Sequence, residues 1–268
     1  MRTVSSKRYL MCRPTYFDVT YSINPWMDPN RPTSADACLS QWKELHDTLA
    51  GLGHDVQVVE PRPGLPDMIF AANGAIVVDG KVLVARFRYE QRVDEAAAYL
   101  EWFGRGDWSE VRQAAYVNEG EGDFLYVGGE ILAGTGFRSD LRAHDEVREF
   151  FGRPVVSLNL IDPRFYHLDT ALAVLGDRDI MYYPAAFSRD SQAALAERFP
   201  DAILADEADA AVFGLNAVSD GRNVVLSRRA TGLAAKLKER GYFPVGADLT
   251  EPLKAGGSVK CCTLELRG

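Results

Sequence analysis

The sequence predicts an α/β fold, a five-bladed propeller of ββαβ units arranged with pseudo-fivefold symmetry. Three observations carry that prediction. Turn dipeptides Asp79-Gly80, Gly128-Gly129, Gly176-Asp177 and Asp220-Gly221 each lie between a pair of short β-rich runs, and they recur roughly every 44 to 49 residues, the range of a repeated supersecondary unit. A helical stretch follows each of the four, and a further short strand closes the unit. The two ends of the chain supply the pieces of a fifth unit.

Arg8–Arg13 opens the chain as a strand and leads into a helix over Ser34–Gly51. Neither has a hairpin partner nearby. The apolar run Val259–Leu266 at the other end supplies one, so the terminal strands are expected to pair and close the ring. AIVV and KVLVA flank Asp79-Gly80, a dipeptide that accepts the positive φ of a tight hairpin, and a helix over Tyr89–Phe103 follows. FLYV and EILA flank Gly128-Gly129, before a helix over Ser139–Phe151 and the strand VVSLNL from Val155. TALAVL and DIMYY flank Gly176-Asp177, before a helix over Ser188–Phe199 with Ser188 as N-cap and the strand AIL at Ala202. NAVS and NVVLS flank Asp220-Gly221, and Ala230, Leu233, Ala234 and Leu237 then share one face of a helix over Arg229–Arg240. A doubly wound parallel sheet gives no reason for a hairpin in every unit. No linker rich in Gly, Pro or Ser divides the chain, so residues 1–268 read as a single domain, with Pro61–Pro66 a rigid loop.

The 268 residues hold 30 Lys and Arg against 38 Asp and Glu, a net charge of −8 that argues against a polyanion-binding surface. No apolar run approaches the roughly 18 residues that cross a bilayer, and no apolar segment follows the basic residues of Met1–Leu10 as a secretory signal requires. These features predict a soluble, cytoplasmic protein that meets a small molecule, with neither nucleic acid nor membrane as partner. The oligomeric state stays open, a homo-oligomer included. Four cysteines in a chain this long form no disulfide framework, and without CxxC, HExxH or clustered His no metal or cofactor is expected. Cys12 and Cys38 read as small buried apolar residues.

Residues at the ends of each unit's strands converge on the axis of such a ring, and those junctions carry polar groups. Asp67 and Asn73 bracket the apolar run MIFAA. Glu119, Glu121 and Asp123 lie in NEGEGDF, where two glycines allow a tight turn; Glu121, the middle acid, is expected to matter least. His167 and Asp169 lie in YHLDTAL, Asn216 in FGLNAVSDG, and Cys261 follows Ala255-Gly256-Gly257. If Val259–Leu266 is a strand, Cys262, Leu264 and Leu266 share the core face, whereas Cys261, Thr263 and Glu265 face a polar site.

On these residues the chain resembles the guanidino-group-modifying (pentein) superfamily, which includes dimethylarginine dimethylaminohydrolase, arginine deiminase, arginine amidinotransferase and bacterial arginine dihydrolase. The likeness runs from SINPWM at Ser22 to AGGSVKCCTLEL, through the acidic-glycine box with Glu119 and Asp123 and the HLD at His167–Asp169. It implies the same five-bladed propeller, Cys261 as nucleophile, His167 as acid and base, and Glu119 as a catalytic carboxylate. It further implies substrate contacts from Asp67, Asn73, Asp123, Asp169, Asn24 and Asn216. Arg92, and Arg138 in GTGFRS, are the candidates for the substrate α-carboxylate. Deiminases and methylarginine hydrolases usually have Asp where this sequence has Asn73, and FAAN together with YSINPWM is closer to the arginine dihydrolase branch.

The chemistry follows from the groups. A planar cationic guanidinium is met bidentately by carboxylates, and its carbon, fed by three nitrogens, calls for a strong nucleophile such as thiolate. Hydrolysis through a covalent thiouronium intermediate is expected, with arginine passing to ornithine or dimethylarginine to citrulline and dimethylamine. An amidinotransferase and a non-catalytic binding module, such as the ribosomal anti-association factor on this scaffold, are the readings of other classes. The joint presence of Cys261, His167 and the acids speaks for an enzyme.

Overall fold

The computed structural model describes residues 2–268; Met1, in the segment read for a leader, lies outside the described residues. In chain order come β1 (Arg8–Cys12), α1 (Ala35–Gly51), β2 (Asp55–Val59), β3 (Ala75–Val78), β4 (Lys81–Val84), α2 (Glu90–Val93), α3 (Glu95–Phe103) and β5 (Glu110–Gln113). Next are β6 (Phe124–Val127), β7 (Glu130–Thr135), α4 (Leu141–Phe151), β8 (Val155–Asn159), α5 (Leu168–Ala171), β9 (Leu172–Gly176), β10 (Asp179–Tyr182), α6 (Arg189–Arg198) and β11 (Ile203–Leu204). The chain ends with α7 (Glu207–Ala210), β12 (Val218–Ser219), β13 (Asn223–Ser227), α8 (Thr231–Glu239), β14 (Phe243–Ala247) and β15 (Leu264–Glu265).

Five three-stranded sheets form, and each repeats one topology: a first strand antiparallel to a central one, which runs parallel to a third across a helix. In the fifth sheet the first strand comes from the C-terminus, β15 pairing antiparallel with β1 through Tyr9↔Glu265 and Leu10↔Leu264. The first strands of neighbouring blades touch, β9 against both β6 and β12 and β15 against β3, which places these strands around the axis. The apolar cores lie between sheets and helices, for example Leu45 and Leu49 of α1 with Tyr9 and Met11 of β1. Among the described residues no helix is long and apolar enough to cross a membrane.

The hairpin signals work where both turn residues take positive φ: Asp79 and Gly80 at 51° and 74°, Gly128 and Gly129 at 57° and 90°. Elsewhere three expectations need correction. Gly176 is the last residue of β9, and the turn is Asp177-Arg178, because the pairing slips between Asp179 and Ile180. The helix read over Tyr89–Phe103 is two helices that meet at Asp94. Val259–Leu266 is a strand only at Leu264–Glu265. Before it, Ser258–Thr263 turns, with Cys262 N–H donating to Ser258 O, Thr263 N–H to Lys260 O, and the Thr263 hydroxyl to Val259 O. That side-chain bond offers the backbone an alternative to the ladder.

Candidate active site

The segments that precede the first strand of each blade meet at one end of the axis, and they carry nearly every residue singled out above. Asp67 and Asn73 sit on two short 3-10 helices ahead of β3, Glu119 and Asp123 bracket a third ahead of β6, and His167 and Asp169 open α5 ahead of β9. Asn216 precedes β12 and Cys261 precedes β15. Strand alternation does not explain the cysteines, since both lie in the Ser258–Thr263 turn. Both cysteines are buried in one apolar cluster, but only Cys261 Sγ meets polar partners, lying 3.3 Å from Asp169 Oδ2 and 3.1 Å from Asn216 Nδ2.

Asn216 grips the thiol segment twice, since its Oδ1 also accepts the Cys261 N–H at 3.1 Å. Burial, with the Asp169 carboxylate adding to it, pushes the Cys261 thiol well above its ordinary range. Burial likewise pushes Asp169 up to about 7, against the pull of Lys260. His167 Nε2 stands 2.8 Å from Glu119 Oε2, which also receives Arg138 Nη1 at 2.7 Å. Burial alone would raise the Glu119 carboxyl, but Arg138 and His167 hold it far below the usual carboxylate range. Glu119 is thus an ionised acceptor for the His167 Nε2–H, and His167 Nδ1 has no hydrogen-bond partner among the described residues. A Cβ on Gly122 would come within 3.2 Å of that Nδ1 and 2.4 Å of Asn73 Nδ2, which is why glycine is needed there.

Other predicted contacts take different posts. Asp123 Oδ2 accepts the Ser139 hydroxyl at 2.6 Å and Oδ1 the Leu168 N–H at 3.2 Å, so it ties the turn that bears His167 to the segment before α4. Asn24 is spent on the Ala255 carbonyl and the Trp26 N–H, latching SINPWM to the Gly256 loop. Arg92 is buried with its donors committed to Glu95, Asn73 and the Asp67 carbonyl, so an incoming carboxylate would have to exchange one of them. Arg138 lies between the rings of Tyr89 and Tyr166 at 4.7 and 4.6 Å. Glu121 is no solvated turn residue: it is fully buried, and its carboxylate receives Lys260 Nζ at 2.8 Å, the Glu265 N–H at 2.9 Å and the Arg267 guanidinium. Sequence reasoning missed Glu95, Tyr21, whose hydroxyl donates to Asp67 Oδ2, and Lys260. Lys260, beside Cys261, and Tyr21, which opens YSINPWM, had a positional signal; Glu95 had none.

Four atoms define what the site wants. Asp67 Oδ1, Glu119 Oε1, Asp169 Oδ1 and His167 Nδ1 are buried with no hydrogen-bond partner among the described residues. Three carboxylate oxygens and a bare imidazole nitrogen around a thiol call for a compact, donor-rich cation. A cavity of about 680 Å³ opens at the other end of the axis, lined by Lys7, Tyr126, Ser219 and Arg267; the thiol and His167 do not line it.

The family model for N,N dimethylarginine dimethylhydrolase, eukaryotic, matches residues 19–268. The chain belongs to the dimethylarginine dimethylaminohydrolase family. It is 54% identical over 265 residues to the N(G),N(G)-dimethylarginine dimethylaminohydrolase of Mycobacterium tuberculosis, covering 99% of this chain and 87% of that one. It is 39% identical to the bifunctional arginine dihydrolase/ornithine cyclodeaminase ArgZ of Synechocystis, covering 97% of this chain but only 37% of ArgZ. The N-terminal domain of ArgZ, a cyanobacterial arginine dihydrolase solved as a cysteine-to-serine mutant bound to substrate, superposes with a TM-score of 0.93 at 36% identity over 98% of both chains. An asparagine-to-serine mutant of that domain has been solved covalently bonded to a reaction intermediate. The pentein fold of this family member is therefore that of its relatives.

Proposed function

We propose that this family member hydrolyses arginine twice at one site, giving ornithine, carbon dioxide and two molecules of ammonia. The chain is a hydrolase of guanidino C–N bonds; the number of steps and the order of substrates are the proposal. The observation that carries it is Asn73, whose Oδ1 is occupied by Arg92 Nη1 at 2.8 Å, leaving its NH2 as the group offered to the site. A guanidinium is held by the oxygens of Asp67, Glu119 and Asp169. A ureido product replaces one donor with a carbonyl oxygen, which an NH2 satisfies and another carboxylate would repel.

The cation entering beside Cys261 lowers the cost of ionising the thiol, which burial otherwise keeps protonated. As the thiol gives up its proton to His167, the thiolate attacks the guanidinium carbon and forms a C–S bond. His167 delivers a proton to the departing amine as the C–N bond breaks, then takes one from the water that attacks the thiouronium carbon. Collapse of that adduct breaks the C–S bond, frees the thiolate and leaves citrulline. In the second round the same thiolate adds to the ureido carbon, and the C–NH2 bond breaks and releases the second ammonia. A second water then cleaves the C–S bond of the S-carbamoyl adduct to give an N-carboxylate that loses carbon dioxide and leaves ornithine. We place this chemistry in the cytoplasm, where such a thiol stays reduced.

The 54% identity to a protein named dimethylarginine dimethylaminohydrolase favours a second reading, in which dimethylarginine yields citrulline and dimethylamine. Incubation with arginine, citrulline, monomethylarginine and dimethylarginine, followed by amino-acid analysis, decides between them. Ornithine from arginine is expected; citrulline accumulating from dimethylarginine with arginine untouched overturns the dihydrolase reading.

A further inference from the structure

Asn73 takes its orientation from residues that touch no reacting atom. Arginine donates hydrogen bonds and accepts none, so Arg92 Nη1 at 2.8 Å fixes the amide oxygen toward itself and the NH2 toward the Glu119 carbonyl, 3.5 Å away. Arg92 is fixed in turn by Glu95, through Nε to Oε1 at 2.8 Å and Nη2 to Oε2 at 2.9 Å. All three side chains are buried, and Glu95 makes no other side-chain hydrogen bond among the described residues.

We infer that Glu95 is a positioning residue that sets how often the site carries its first product on to the second hydrolysis, by clamping Arg92 and so holding the Asn73 NH2 inward. This rests on the dihydrolase reading above. A bidentate pair fixes both the position and the plane of a guanidinium. With one arm loosened, Arg92 is drawn toward Asp67 Oδ2 and Glu119 Oε2, each 3.8 Å from it, and the amide is free to flip. A flipped amide offers an oxygen. The guanidinium of arginine, all donors, accepts either orientation, but the carbonyl of a ureido group then faces a second acceptor. Loss of the clamp should therefore spare the first hydrolysis and impair the second.

Glu95→Gln is isosteric and sets an NH2 against one arm of Arg92, so it tests the clamp without emptying the core. Glu95→Asp keeps the charge but shortens the arm, so it gives up the bidentate fork to Arg92. For each variant, kcat and KM are measured separately with arginine and with added citrulline, and the ornithine-to-citrulline ratio formed from arginine is read alongside. With one hydrogen bond mismatched, we expect arginine consumption within about threefold of wild type, but citrulline turnover and the product ratio lowered at least about tenfold. Equal losses on both substrates with an unchanged ratio, in either variant that folds, overturn the inference and leave Glu95 a structural residue. A wild-type enzyme that forms no ornithine from either substrate fails the dihydrolase reading itself, and this inference with it.

Discussion

His167 and Asp169, two residues apart at the start of α5, take different members of the reacting set: His167 Nε2 meets Glu119 at 2.8 Å, and Asp169 Oδ2 meets Cys261 Sγ at 3.3 Å. Between them the Leu168 N–H donates to Asp123. One helical turn thus fixes the imidazole and the thiol relative to each other, and Asp123 sets that turn's place.

Cys261→Ser should abolish turnover, while Cys262→Ser should keep most of it. Both cysteines are buried in the same apolar cluster, but only the Cys261 sulfur lies against Asp169 and Asn216. Steady-state rates of the two variants, with thiol titration of the resting enzyme, check this. The reverse pattern would mean the nucleophile has been assigned to the wrong sulfur.

Glu119→Gln should lower kcat/KM at least about a hundredfold, since removing one partner of a buried charge pair costs about 3–5 kcal/mol. Glu121→Gln should act mainly on stability, by loosening Lys260, Arg267 and β15 from their shared carboxylate. Thermal melts beside kinetics separate the two. A Glu121→Gln protein with an unchanged melting temperature would contradict the buried anchor.

Arginine binding should strengthen as pH rises toward neutrality. Asp169 has its pKa raised to about 7 in the free enzyme, so below that pH it is protonated and offers the cation no charge. A bound cation favours the ionised form, and affinity therefore grows with pH until Asp169 is ionised without it. For Cys261→Ser, calorimetric affinity at pH 5.5 should be at least about tenfold weaker than at pH 8, one pKa unit being worth about 1.4 kcal/mol. The raised pKa has the opposite sign for folding: the folded protein binds more protons than the unfolded chain between about pH 4 and 7, so this group's contribution to stability falls as pH rises through that window. Affinity flat across the range would remove Asp169 from the guanidinium site.

Asn73→Asp should shift products from ornithine toward citrulline, or stall turnover. The new carboxylate keeps Arg92 as a partner but turns its other oxygen toward the Glu119 carbonyl, where the NH2 now points. Amino-acid analysis of arginine incubations reads the ratio, and unchanged ornithine yield would show that the amide is not what admits the ureido group.

The ring was legible because local chemistry and global closure agree: a turn that needs positive φ at both residues announces itself in Asp79-Gly80 and Gly128-Gly129. The end of the chain was not, because Ser258–Thr263 is bent by bonds that a hydropathy pattern does not display, among them the Thr263 hydroxyl to Val259 O. The candidate site residues stood out as polar groups at blade junctions. Their supports did not. Glu95 looks like any acid in the first turn of a helix, and Glu121 like any acid between glycines, until folding buries them against Arg92 and Lys260.

The seam between β1 and β15 has a consequence for the order in which the molecule becomes reactive. Tyr9 and Glu265 pair across almost the entire chain, and Cys261 lies just before that pairing. Loop entropy grows only slowly with length, about 0.6 kcal/mol per doubling, but contacts so distant in sequence tend to form late in folding. The other four blades need no segment from the C-terminus to pair their strands. A molecule with the other four blades intact but this seam unpaired would therefore hold its acids and imidazole on one part of the ring and its thiol on a loose end. Closing the ring and bringing the Cys261 thiol to the acids and the imidazole are one event, and opening at the seam separates them again.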